Sequence, residues 1–103
     1  MKPARLRQVA ERDVEQAFSY YLQEAGPALA VDFIAAVDAA LARMAAHPAA
    51  GSPRYAEQLD LPCLRSWLVE RFPYVALYVE CDDHIDVLRV LHQQQDIPAH
   101  MQA

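Results

Sequence analysis

Four basic side chains in the last third of the chain, Arg65, Arg71, Arg89 and His92, together with the phenols of Tyr74 and Tyr78, are the groups with which this sequence could act on a phosphodiester. Cleaving RNA without a metal takes three contributions. A base must take the 2′-hydroxyl proton, an acid must protonate the leaving oxygen, and cations must stabilise the charge growing on phosphate. Arg65, Arg89 and His92 are the set that would carry such a reaction. No lysine stands among them, since Lys2 is the only lysine and the other eight basic residues are arginines. Removing one charge-stabilising donor typically costs about 100- to 1000-fold in rate, so a nuclease built on this set is short of cations.

Each of these residues also has an ordinary structural role open to it. Arg65 sits on an alternating strand, where a solvated face is the usual fate. Arg71 follows Glu70 and invites a surface ion pair worth under about 1 kcal/mol. Arg89 lies between Leu88 and Val90, so its charge must be paired or exposed; Asp86 and Glu80 are the nearby carboxylates. His92 ends a strand, a place for a partner contact. Trp67 and Phe72 read as anchors in a core or at an interface rim, and Asp82-Asp83 reads as a turn and not a metal site.

The wider composition narrows the classes further. With 103 residues there is room for one domain, residues 1–103, and not for two. The net charge of −5 argues against a protein that grips nucleic acid along its phosphates. Cys63 and Cys81 are 18 apart and match no zinc spacing, so two reduced thiols, no metal and no cofactor are expected. The N-terminus has no apolar core of a signal peptide, and no apolar run approaches the ~20 residues needed to span a membrane. A cytoplasmic protein without membrane contact is the expectation.

The elements that must position these residues follow from periodicity. Ala4 to Val9 alternate as a short strand does. From Glu11, apolar Val14, Ala17, Phe18, Tyr21, Leu22 and Ala25 recur at helical spacing, with Asp13 and Glu15 in the first turn complementing the helix dipole. Gly26-Pro27 stops this helix and starts another, over residues 27–46, with Leu29, Phe33, Val37, Leu41 and Met44 on one stripe, widened by Val31 and Ile34. His47-Pro48 ends it. So short a link makes the two helices an antiparallel hairpin. Residues 48–62 read as loop, marked by Gly51-Ser52-Pro53. Then come strands over 64–69, 74–80 and 85–91, joined by short links as an antiparallel meander. The polar tail, 93–103, reads as frayed or partner-dependent. The order β-α-α-β-β-β predicts an α+β fold, a helical hairpin packed on a small antiparallel sheet.

Five segments in this order carry a resemblance: Asp13-Val14-Glu15-Gln16-Ala17 before Tyr20-Tyr21; Gly51-Ser52-Pro53-Arg54-Tyr55; Leu64-Arg65-Ser66-Trp67; Arg71-Phe72-Pro73-Tyr74; and Val87 to His92 followed by Asp96-Ile97-Pro98. Across nearly the whole chain they resemble the RelE/ParE toxins of type II toxin–antitoxin systems, with wording nearest the ParE branch. The resemblance implies a growth-arresting toxin associated with plasmid stabilization and neutralised, in a hetero-oligomer, by a cognate antitoxin with a disordered tail and a DNA-binding N-terminus. ParE-type toxins poison DNA gyrase, whereas RelE-type toxins cut mRNA on the ribosome. RelE-type members resemble one another in a Lys, Arg and Tyr or His cluster that this chain lacks, so a gyrase inhibitor that is not an enzyme is expected, with ribonuclease as the alternative. On that reading Arg65, Arg71, Arg89, His92 and Asp96 contact the target, and Leu29, Phe33, Val37, Trp67, Phe72 and Tyr78 contact the antitoxin, helped by exposed strand edges and the alanine-rich side of the second helix. The family often has a glycine and an arginine between the last histidine and the aspartate; here stand Gln93-Gln94-Gln95. A homologue that binds antitoxin without being toxic is therefore the third expectation.

Overall fold

Chain order in the computed structural model, which describes residues 2–101, is β1 (Ala4–Leu6), α1 (Gln8–Ala25), α2 (Pro27–Ala46), a single 3₁₀ turn (Pro48–Ala50), β2 (Leu64–Leu68), β3 (Tyr74–Glu80), β4 (Ile85–His92) and α3 (Ile97–Met101). Gly26 alone joins α1 to α2. Its φ of 93° is a backbone conformation that L side chains rarely adopt, and its N–H closes the end of α1 on the carbonyls of Tyr21 and Leu22. Pro27 occupies the first turn of α2, where its missing N–H leaves no bond unmade.

The four strands form one sheet in the order β1-β4-β3-β2. β2, β3 and β4 are the expected antiparallel meander. β1 corrects the prediction of a purely antiparallel sheet, because it lies parallel to β4, with Ala4 beside Ile85 and Leu6 beside Val87. Short links force the meander's strands to alternate, but β1 reaches β4 through two helices and two strands. Parallel pairing needs a long crossover of that kind. β1 is also shorter than its alternation implied: the helix begins at Gln8, so Asp13 lies beyond the first turn of α1 and is free for another role.

The helical hairpin covers one face of the sheet. Ala10, Met44, Ala76, Tyr78, Ile85, Val87 and Val90 meet there. Alongside, Ala17, Phe33, Val37, Ala40, Val69 and Phe72 form a second cluster. Within it the Phe33 ring lies 5.2–5.3 Å, centroid to centroid, from the rings of Tyr21, Phe72 and Tyr74, in the tilted and edge-on arrangements that aromatic quadrupoles favour. The opposite face is covered too, by Ala56 of the 48–62 loop and Ile97 of α3, packed over Leu64, Val75, Leu77 and Leu91. α3 is therefore a seated element where a frayed or partner-dependent tail was expected; residues 102 and 103 of that tail lie outside the described residues.

Both faces of β4 are apolar because the strand contains a bulge. Tyr78 pairs with Val87 and Leu77 with Arg89, so Leu88 is an extra residue on β4. The insertion reverses the side-chain alternation. Val87 and Val90, three apart, both face the helices, while Leu88 and Leu91 both face the other way.

Tyr78 shows how the loop is tied down. The side chain is fully buried, and its hydroxyl donates to the Pro48 carbonyl at 2.7 Å. A Cβ on Gly51 would collide with that hydroxyl and ring. Gly51→Ala is expected to destabilise the fold by about 1–3 kcal/mol, the usual consequence of overpacking. Urea unfolding checks this, and an unchanged midpoint would show that the loop relaxes freely.

Candidate functional site

α1, the end of β4 and α3 enclose a polar cleft of about 330 Å³, lined by Asp13, Gln16, Tyr20, Tyr74, Arg89, His92, Gln95 and His100 among others. The β4 bulge positions its central group. Arg89 donates from Nε and Nη2 to the two carboxylate oxygens of Asp13, at 2.8 and 2.9 Å. Its Nη1 donates to the His100 carbonyl at 3.1 Å. Asp13 also accepts the Val90 N–H at 3.0 Å, a backbone donor beside the irregularity in the ladder. One carboxylate thus joins α1 to β4, and one guanidinium joins both to α3. The two side chains are only 18% and 10% exposed. Bidentate bonding to Asp13 raises the Arg89 pKa further, against the opposing effect of burial.

This pairing corrects the expected partners of Arg89. Asp86 is held instead by Arg7, and Glu80 by Lys2. Arg71 also departs from expectation. It stands at φ 72° in the link between β2 and β3, with its guanidinium 6.0 Å from the Phe72 ring centroid, while Glu70 faces Arg43 at 3.3 Å. Arg65 is no solvated side chain either: it donates to the Gly51 carbonyl at 2.8 Å and so braces the same loop as Tyr78.

At the mouth of the cleft, the His92 ring meets Tyr74 edge-on at 5.1 Å, and its Nδ1 accepts the Gln94 N–H at 3.1 Å. Gln95 accepts the His92 N–H at 2.7 Å. The glutamine segment therefore closes the turn into α3. Asp96 begins that helix, with its carboxylate accepting the Ala99 N–H at 3.3 Å.

Of the residues expected to contact a target, Arg89 and His92 share the cleft, Asp96 stands beside it, and Arg65 and Arg71 lie apart from it. Lys2 is remote: it sits with Glu80 at the far end of the β3–β4 hairpin, whereas His92 pairs with Tyr74 at the near end. Six residues of strand separate those ends by roughly 20 Å. Arg89 and His92 line the cleft and Arg65 does not, and the two arginines are already engaged.

Among the residues expected to contact a partner, Phe33, Val37, Phe72 and Tyr78 are buried core, which corrects their assignment to a surface. Leu29 and Trp67 are half-buried against that core. The exposed apolar residues are others. On α2, Val31 is 60% exposed and faces outward with Ala28, Ala35, Ala39 and Ala42. A second, largely apolar cleft of about 480 Å³ lies between α3 and the start of α1, lined by Val9, Leu61, Val79, Leu88 and Met101. Leu68, at the end of edge strand β2, is also 60% exposed, although Ser52 covers that edge at Ser66 with hydrogen bonds of 2.8 and 2.9 Å. Sequence spacing marked the apolar stripe of α2 but could not assign its two sides.

Burial raises the pKa of Tyr21, Tyr74 and Tyr78, because the phenolate loses more solvation than the phenol. The folded state then holds these protons more tightly than the unfolded chain. Their contribution to stability is complete below the unfolded tyrosine pKa of about 10 and is lost as pH rises through the higher folded values. Melting temperatures measured across the alkaline range should fall beyond that point, with tyrosinate absorbance appearing alongside unfolding.

Among the described residues, one group has metal-ligand chemistry: Cys81, His84 and Asp86, at the far end of the hairpin. Among the same residues, no helix is long and apolar enough to cross a membrane.

Comparison with known proteins gave three findings. The family model described as "ParE toxin of type II toxin-antitoxin system, parDE" matches residues 4–97. No curated protein matches the chain. Among solved structures, a chain of the chromosomal ParDE TA system from P. aeruginosa is similar, with a TM-score of 0.74 at 21% identity, over 89% of this chain and 96% of that one.

Proposed function

Because the chain belongs to the ParE toxin family of type II toxin–antitoxin systems, we propose that it arrests growth by inhibiting DNA gyrase and is neutralised by binding a cognate antitoxin. The observation that carries the choice of gyrase over mRNA is the state of the cations. Arg89 is neutralised by Asp13, Arg65 is spent on a loop carbonyl, and the one lysine is at the opposite end of the hairpin. A metal-free ribonuclease needs such groups free and convergent; a protein that acts by binding does not. On this reading the target contacts are His92 and Asp96 at the polar cleft, with the exposed Arg71 as a separate contact outside it.

The antitoxin takes the apolar surfaces. The outward stripe of α2, with Val31 at its centre, is shallow enough for an amphipathic helix. The cleft between α3 and α1 accepts apolar side chains of an extended tail. A segment that folds as it binds can wrap both.

Inducing the chain without antitoxin should arrest growth, and the purified protein should inhibit gyrase supercoiling while leaving translated mRNA intact. Codon-linked mRNA cuts with unaffected gyrase would overturn the reading. In the same assays His92→Ala and Arg71→Glu should weaken gyrase inhibition, while Val31→Asp should weaken antitoxin binding alone. A second reading, an antitoxin binder without toxicity, is favoured by the Gln93–Gln95 turn, where side chains serve local structure. Absence of arrest at verified expression would select it.

A further inference from the structure

Cys81, His84 and Asp86 are far from the polar cleft, and nothing in the proposed toxin activity uses them. The hairpin register brings them together. Glu80 pairs with Ile85, and the next residues outward, Cys81 and His84, are joined by the Cys81 N–H to the His84 carbonyl at 2.8 Å. Side chains opposite one another across a hairpin share a face, and so do residues two apart on one strand. Cys81, His84 and Asp86 therefore project from the same side, with ligand atoms all within 4.8 Å of one another. All three are half-buried.

We propose that this trio is a binding site for a zinc-class divalent transition metal. A thiolate, an imidazole and a carboxylate form a mixed soft and borderline donor set that suits Zn²⁺ and disfavours Mg²⁺ or Ca²⁺. Tetrahedral zinc, with Zn–S of about 2.3 Å and Zn–N of about 2.0 Å, needs donors roughly 3.2–3.8 Å apart. The present spread closes to that value by side-chain rotation. Three protein donors leave a fourth position for water.

Two neighbours complete the site. Asp83 contacts His84 Nδ1 at 2.7 Å. That contact leaves Nε2 as the nitrogen with a free lone pair, the carboxylate–histidine arrangement common behind metal ligands. Arg7 competes with the metal, since it holds Asp86 through contacts of 2.8–3.2 Å. The Arg7 side chain is 58% exposed and that of Asp86 18%, so the guanidinium can swing into solvent when a metal takes the carboxylate. Loading the site exchanges a surface ion pair for a staple across the hairpin tip. Binding releases the Cys81 thiol proton and weakens once His84 is protonated.

Co²⁺ titration of the reduced full chain tests this. One equivalent should bind, with a cobalt–thiolate charge-transfer band that Zn²⁺ abolishes by displacement. Cys81→Ser should remove the band, and Cys63→Ser, in the exposed loop, should preserve it. Asp83→Ala should weaken affinity by about tenfold, while Arg7→Ala should strengthen it. Zn²⁺ should also raise the melting temperature of the wild-type chain. No thiolate band, or a band that survives Cys81→Ser, overturns the proposal. Should Cys81→Ser fail to fold, the opposite shifts of Asp83→Ala and Arg7→Ala decide it; if neither moves the affinity, the site does not exist. None of these readouts depends on gyrase or antitoxin.

Discussion

Arg89→Ala is expected to lower the free energy of unfolding by about 3 kcal/mol, near the lower end of what breaking a buried ion pair costs. The expectation rests on what the truncation leaves behind. Asp13, 10% exposed, would keep its charge with only the Val90 N–H as a protein partner. The His100 carbonyl would lose its guanidinium, loosening α3. For a protein of ordinary stability this is a large fraction of the total. Asp13→Asn should cost less, because an amide oxygen still accepts from Val90, and replacing both partners with apolar side chains should cost less than either charge left alone. Urea unfolding of the set distinguishes these cases. A loss under about 1 kcal/mol for Arg89→Ala would mean that solvent screens the pair as it does at a surface. Because the same residue borders the polar cleft, toxicity lost in Arg89→Ala is informative only beside its unfolding curve.

Phe33→Ala should remove about 3–5 kcal/mol, the usual range for deleting a buried aromatic ring. Phe33 has no exposed surface and touches three other rings, and α1 and the β2–β3 link both lean on it, so collapse around the cavity is restricted. The measurement also separates two readings of the same stripe. If Phe33 is core, the variant melts early with or without antitoxin. If it were an antitoxin anchor, the free protein would keep its stability and only affinity would fall.

The helical hairpin and the antiparallel meander could be read from the sequence, because both are local. Helical periodicity, Gly26-Pro27 and short strand links each act over a few residues. What could not be read was non-local. No pattern links Ala4 to Ile85, and none links Asp13 to Arg89, 76 residues away; nearer carboxylates looked like better partners. Phe33, Val37, Phe72 and Tyr78 looked suited to an interface because an apolar stripe does not say which layer will cover it. The bulge did leave a trace, since apolar Ile85 and Val87 are followed by Leu88, Val90 and Leu91, a change of parity that a single exposed face would not tolerate. α3 was hidden by its polar approach and by Pro98. The metal-ligand trio was missed because CxxC and HxxxH spacings describe turns and helices, whereas here donors are brought opposite one another by a hairpin.

The pairing of β1 with β4 has a kinetic consequence. β1 is made well before β4, with two helices and two strands between them. In between, the helical hairpin emerges with its apolar side, Ala10, Phe33 and Met44, waiting for strands that begin only at Leu64. The carboxylate of Asp13 waits still longer for its guanidinium. Contacts this distant along the chain form late and slowly. The polar cleft takes its walls from α1 at one end of the sequence and from β4 and α3 at the other. A chain made only as far as β3 has no such surface, so any activity that runs through the cleft must wait until β4 and α3 have been made.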